Sequence, residues 1–185
     1  MKRIISGLVA LTLLAGLGLA GACTQAVQAK TGTILVRVTD APGDVEAIWV
    51  TVSEVKVHKA GVDEEDGEWI TLGIVEDTFN LLELEGLELT LVEDKVEAGK
   101  YTQLRMTIFI VEVTLEGEDG EPSITVEATI PSGELKFVRP FELEAGGIIA
   151  LVVDFDAAES VVVTGNGQVI FKPVVKLAIL EVEPE

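Results

Sequence analysis

Between residue 31 and the C-terminus, apolar and polar side chains alternate in short runs, and that period of two constrains the fold more than any other feature. Ile34, Val36 and Val38 alternate with Leu35, Arg37 and Thr39. Ile124, Val126, Ala128 and Ile130 alternate with Thr125, Glu127 and Thr129, and Phe141, Leu143 and Ala145 with Glu142 and Glu144. Successive side chains of a strand point to opposite faces, so each run describes a strand with one face buried. Turn-forming residues separate the runs: Ala41-Pro42-Gly43, Asp66-Gly67, Asp119-Gly120, Pro131-Ser132-Gly133, Gly146-Gly147 and Gly165-Asn166-Gly167. Asn-Gly and Asp-Gly supply the positive φ that tight hairpins need. The pattern predicts an all-β, antiparallel sandwich of the immunoglobulin or transthyretin kind, with about eight to ten strands.

Two segments break the alternation once each. From Ile48 to His58 the apolar set begins on Ile48, Val50 and Val52 and then moves to Val55 and Val57. From Tyr101 to Glu116 it begins on Leu104, Met106, Ile108 and Ile110 and then moves to Val111, Val113 and Leu115. A slip of one residue exchanges the faces, so each strand contains a bulge or bends between sheets. Both are long and are expected to lie centrally. Val174 to Val182, apolar on both faces until Glu181, also suits a central strand. Phe79 to Val92 is ambiguous. A strand is expected before Gly86, whereas Leu87–Val92 fits either a strand or a short helix.

The N-terminus has a different composition. Lys2 and Arg3 precede an uncharged run from Ile4 to Ala22, which ends Ala20-Gly21-Ala22-Cys23. A positive n-region, an apolar h-region and a small-residue cleavage site form an export signal, and this one resembles a bacterial lipoprotein signal with its lipobox. The resemblance implies a diacylglyceryl-modified Cys23. Two acyl chains anchor stably where one does not, and thioether formation removes the liability of a lone exported thiol. Cleavage after Ala29, which would release a secreted protein, is a second reading. An uncleaved membrane helix is a third, disfavoured by Gly7, Gly16, Gly18 and Gly21. The division expected is a leader over 1–22 that forms a signal helix, a linker over 23–32 carrying the lipid, and one sandwich domain over 33–183. The folded part then sits at the cell envelope, outside the cytoplasm.

Acids outnumber bases 32 to 13, giving a net charge of −19. Loss of residues 1–22 removes Lys2 and Arg3 and no acid, so the charge becomes −21. Such a chain does not bind nucleic acid by neutralising phosphates, and an anionic lipid surface repels it, so membrane attachment must be covalent. The charge serves mainly solubility.

Several ordered segments carry a family likeness: Gly32-Thr33-Ile34-Leu35-Val36-Arg37-Val38-Thr39-Asp40-Ala41-Pro42, then Val50-Thr51-Val52-Ser53-Glu54-Val55-Lys56-Val57-His58, Ala98-Gly99-Lys100-Tyr101-Thr102-Gln103-Leu104-Arg105, Glu144-Ala145-Gly146-Gly147, Val153-Asp154-Phe155-Asp156 and Lys172-Pro173-Val174-Val175-Lys176. Together they resemble the family known as domain of unknown function 4382, over nearly all of 31–182. The resemblance implies a transthyretin-like or carboxypeptidase-regulatory-like sandwich on an exported bacterial or archaeal protein, often a lipoprotein. Some sandwiches of that style bind carbohydrate. It implies no activity and no functional residues.

Candidate chemistry is sparse. His58 is the only histidine, and without a second histidine or a cysteine partner a zinc site is not expected. Ser53 and Ser160 could formally join it in a triad, but no nucleophile-elbow motif supports that. It reads as a surface residue at a strand end. Asp154 and Asp156 share a strand face about 6.5–7 Å apart, and Asp40 and Asp44 flank a turn that could bring them near. Calcium, taking six to eight oxygens, is the metal such a set would hold. Without an EF-hand loop the aspartates more simply cap turns. Asp63-Glu64-Glu65-Asp66-Gly67-Glu68 and Glu116 to Glu121 read as solvated hairpin tips. Trp49 is flanked by core residues Ile48 and Val50, so it points outward with Thr51 and Ser53. There it could stack on a sugar or meet a partner protein unless a loop covers it. The expectation is a non-catalytic binding or structural module of unknown protein or glycan partner, with no cofactor. A carbohydrate- or calcium-binding module is the alternative, and a hydrolase using its acidic residues is ranked below both.

Overall fold

The computed structural model describes residues 30–41, 45–61, 67–117 and 121–183. The leader, Cys23, Asp44 and the acidic runs 63–66 and 118–120 lie outside the described residues. Among the described residues eleven strands run in chain order: β1 (Thr31–Ala41), β2 (Ala47–Lys59), β3 (Glu68–Asn80), β4 (Leu89–Glu97), β5 (Gly99–Leu115), β6 (Ile124–Glu127), β7 (Glu134–Leu143), β8 (Ile148–Asp156), β9 (Val161–Val163), β10 (Val169–Phe171) and β11 (Val175–Val182). A 3-10 turn spans Leu81–Leu84, and a single helical turn, α1, spans Ala157–Ser160. No helix among the described residues is long and apolar enough to cross a membrane.

The strands form a sandwich. One sheet has the order β11-β8-β1-β4, and the other runs β3-β2-β5 with β6 and β7 end to end along the far edge of β5. The short strands β9 and β10 pair with each other as a separate hairpin. All of these strand pairings are antiparallel except β1 with β8, which is parallel from Thr33–Ile148 to Ala41–Asp156. One contiguous core fills the space between the sheets. Ile34, Val36, Val38, Leu151, Val153 and Phe155 come from the first sheet, and Val50, Val57, Leu104, Met106, Val113 and Phe79 from the second. Tyr101 is fully buried among them; its ring stacks on Phe141 at 5.2 Å, and its hydroxyl donates to the Glu97 carbonyl at 2.6 Å. Burial, with Glu97 beside it, pushes the phenol pKa up to about 12.

The broken alternation of β2 and β5 has a common cause. The two strands are neighbours at the centre of their sheet, and their register shifts between Thr51 and Val52 and again between Val52 and Glu54. Thr51 pairs with Ile110 and Val52 with Ile108, so Phe109 is the extra residue on β5. Glu54 pairs with Thr107, so Ser53 is the extra residue on β2. Two facing bulges let both strands change phase together, and the core side stays apolar throughout.

Two expectations are corrected. Leu81–Leu84 is a 3-10 turn rather than a strand. The Asn80 side chain caps it by accepting from Leu82 N at 3.3 Å, and it also accepts from Ile48 N at 3.1 Å, which fixes the start of β2. After Gly86, whose φ of 68° reverses the chain, the open alternative resolves to a strand from Leu89. The last strand, β11, is an edge strand and not a central one. Leu177 and Ile179 face the main core, while the other face of β11 adjoins a second small apolar cluster of Leu35, Ala150 and Val152 on the outside of the sheet, with Val182 packed against it. That cluster explains why both faces of β11 are apolar although it has only one strand neighbour.

Candidate functional site

The outer face of the five-stranded sheet, away from the core, holds the side chains that chemistry can use. Trp49 (β2), Trp69 and Ile74 (β3), Phe109 (β5) and Val138 (β7) all project from it. Trp49 and Trp69 are each 37% exposed and Phe109 is 68% exposed. From Trp69 past Phe109 to Trp49 the face runs about 30 Å at the usual strand rise.

The bulges build its middle. Because Phe109 has no partner on β2, it swings out of the ladder, and the opening beside it is a groove of about 430 Å³ lined by Thr51, Val52, Ser53, Thr78, Phe109 and Ile110. Thr51 and Thr78 hydroxyls hydrogen-bond across its floor at 2.8 Å. Bulges commonly re-aim side chains next to functional sites. At one end of the face, Trp49 borders a second shallow groove with Asp77, Asn80 and Glu83, so the 3-10 turn flanks the indole without covering it.

At the other end, cross-strand pairing sets Thr71, Lys56, Arg105 and Lys136 on one rung across four strands. The rung on one side is Trp69, His58, Gln103 and Val138; the rung on the other is Ile74, Glu54, Thr107 and Glu134. Trp69 reaches from β3 across β2 and rests on the Arg105 guanidinium, 4.1 Å from the ring centroid, with Lys56 Nζ at 5.9 Å. His58 lies against the same indole with ring centroids 4.9 Å apart, and its Nδ1 is 2.7 Å from Thr102 Oγ1. Glu134 meets Lys136 at 3.1 Å, Arg105 at 3.5 Å and Lys56 at 3.8 Å, while Lys56 also meets Glu54 at 3.0 Å. The Lys136 hydrogen bond, aided by the charges of Arg105 and Lys56, holds the Glu134 carboxyl below its usual value. A carboxylate held ionised in this way is a charge partner and not a proton donor.

A family profile described as domain of unknown function (DUF4382) matches residues 31–173. The chain belongs to that family. The DUF4382 match begins at β1 and ends just before β11, so it takes in the whole candidate face. No curated protein and no solved structure matches the chain significantly.

The DUF4382 domain treats the sequence candidates unequally. Trp49 points outward as its neighbours dictate. His58 is half-buried beneath Trp69 rather than an isolated surface residue. Asp44 lies outside the described residues, and Asp40 and Asp154 project to opposite faces of their sheet. Register sets Asp40 beside Phe155 on the core side of β1, and Asp154 beside Thr39 and Lys176 on the outer side of β8. Asp40 Oδ1 accepts from Ala157 N at 3.1 Å and Asp156 Oδ1 from Glu159 N at 3.2 Å, so both serve the helical turn α1. Among the described residues no group of three or more His, Cys, Asp or Glu side chains could hold a metal ion. Ser160 lies inside that turn, its Oγ donating to the Asp156 carbonyl and accepting from Val174 N, remote from His58. Sequence reasoning missed Trp69, Phe109 and the cation rung. Trp69 was accessible to the argument used for Trp49, since Ile70 and Leu72 mark the core side of β3. The rung was not, because it requires the pairing of four strands.

Proposed function

We propose that this DUF4382 chain is an extracytoplasmic, lipid-anchored module with a non-catalytic binding role at the cell envelope, and that its ligand surface is the outer face of the five-stranded sheet. The observation that carries the reading is the gathering of Trp49, Phe109 and Trp69 on one face of a chain with only 5% aromatic residues. Exposed aromatic groups gathered on one face are a common mark of an interaction surface. The leader ending at Cys23 supports the anchor. Lys30 leads directly into β1, its carbonyl accepting from Ala98 N at 2.8 Å.

A carbohydrate ligand is favoured within this reading. Three aromatic rings separated by hydroxyl, amide and charged side chains suit the alternating apolar faces and hydroxyl edges of a sugar chain. Two measurements test the proposal. Mass spectrometry of the processed protein is expected to find Cys23 at the N-terminus with a diacylglyceryl adduct, and an unmodified N-terminus at Met1 or Lys30 would refute the anchor. Retention on immobilised polysaccharides is expected for the native chain and lost in a Trp49→Ala, Phe109→Ser, Trp69→Ala triple variant. Equal behaviour of the two would refute the face.

A further inference from the structure

We propose that the rung of Lys56, Arg105 and Lys136, with the Trp69 indole, is a subsite for a carboxylated sugar. This rests on the carbohydrate reading of the same face and adds the chemical class of the ligand.

The first ground is charge. The chain has 13 basic residues against 32 acidic ones, yet three of the bases stand side by side on adjacent strands. Like charges directly opposite one another destabilise a sheet, so folding alone gives no reason for the arrangement. Among the described residues three cations are served by two carboxylates, Glu54 and Glu134, and Glu134 is shared among all three. Among the described residues one positive charge is left over locally, on a molecule whose total is −19. The second ground is donors. Arg105 reaches Glu134 only at 3.5 Å, the limit of contact, and its Nε is shielded from solvent with no hydrogen-bond partner. A guanidinium offers a planar fork that matches a carboxylate. One incoming carboxylate completes the charge and supplements the long Glu134 contact of the guanidinium, while the shielded Nε stays out of its reach. The third ground is shape. Trp69 lies across β2 with one face on Arg105 and remains 37% exposed, a flat apolar surface beside the cations. Thr71 and Gln103 border it with groups that can bond hydroxyls. The three rungs cover about 14 Å in each direction, enough for a short run of pyranose rings.

A peptide carboxylate suits the site less well. The subsite lies on a sheet face, where a peptide backbone finds no ladder to join, and not on an open edge. The negative total charge does not prevent binding, because at physiological ionic strength fields beyond about 8 Å are screened and the local cations dominate.

The test is titration calorimetry of the full chain in detergent with an oligogalacturonate, a neutral cello-oligosaccharide of equal length, sulfated dextran and poly-glutamate. The uronate is expected to bind at least tenfold tighter than the neutral sugar. Trp69→Ala should weaken both at least tenfold, and Lys136→Gln, at the solvent-exposed rim, should lower the uronate-to-neutral ratio at least fivefold. A thermal melt of each variant shows whether it is folded. Equal affinity for the two sugars, or tighter binding of sulfated dextran or poly-glutamate than of the uronate, overturns the carboxylated-sugar subsite while leaving the sugar-binding face intact. A Trp69→Ala variant that binds as the native chain does overturns the subsite as well. Absence of binding to every saccharide overturns the subsite and the carbohydrate reading together.

Discussion

Replacing Tyr101 with Phe tests the core through a single reporter. Tyr101 is the only tyrosine in the chain, so tyrosinate absorbance near 295 nm follows this residue alone. At neutral pH the substitution removes a partly buried hydrogen bond of 2.6 Å to the Glu97 carbonyl and leaves that oxygen without its phenol donor, a loss of about 1–1.5 kcal/mol. The Phe141 stack at 5.2 Å is kept. Alkaline pH then adds a second term. The folded phenol has its pKa raised from 10.0 to about 12, so the folded state holds its proton after the unfolded chain has begun to lose it. That contribution is complete below pH 10 and disappears as pH rises through the folded value. A shift of this size amounts to roughly 1.4 kcal/mol lost by pH 11. The native protein and the Tyr101→Phe variant should therefore differ at pH 8 by about 1–1.5 kcal/mol in urea unfolding monitored by tryptophan fluorescence, and their curves should converge near pH 11. Lysine titration affects both proteins alike and cancels in the difference. If tyrosinate appears with a midpoint near 10 in the folded protein, or the two stabilities stay parallel up to pH 11, the reasoning about Tyr101 is wrong.

Ser160→Ala should cost about 2–3 kcal/mol, since it strips the Asp156 carbonyl of a donor and Val174 N of an acceptor in a buried clamp between β8 and β11; chemical denaturation measures it. A Cβ at Gly73 would lie 2.6 Å from Val92 Cγ2, so Gly73→Val should lower stability by about 1–3 kcal/mol through overpacking, and an unchanged melting temperature would show that Val92 yields freely. Glu134 has its pKa depressed chiefly by Lys136, so its contribution is present above the unfolded carboxyl range and fades as pH falls through the folded value. Glu134→Gln should accordingly flatten the decline in stability as pH falls through and below the ordinary carboxyl range, relative to the native chain.

The sequence carried the fold wherever one strand could be read by itself. Ile34, Val36 and Val38 identify β1 with no knowledge of its neighbours, because period-2 burial is a local property. The slips at Val52–Val55 and Ile110–Val111 announced a bulge or a bend in each strand for the same reason, although the extra residue of β5 is Phe109 and Ile110 lies on the outer face beside Thr51. What could not be read was pairwise. Nothing in β1 or β8 alone states that they run parallel, and nothing in Val174–Val182 distinguishes a buried central strand from an edge strand beside a second apolar cluster. Leu81–Leu84 is strand-like by composition, but the Asn80 side chain, bonding Ile48 N and Leu82 N, selects the 3-10 turn. The candidate face follows the same division. Trp49 is visible from its immediate neighbours, whereas Lys56, Arg105 and Lys136 come from three distant stretches of the chain, and only the ladder unites them.

The parallel pairing of β1 with β8 has a consequence for how the molecule assembles. Thr33 finds Ile148 and Val38 finds Val153, so the first strand of a chain emerging N-terminus first cannot be completed until most of the polypeptide has followed. Such high contact order makes for slow acquisition of structure, and during that interval Ile34, Val36 and Val38 remain open to other chains. A fragment ending before β8 would keep this strand half-paired and should self-associate, which makes the arrival of the segment from Ile148 onward the step that converts a sticky precursor into a finished domain.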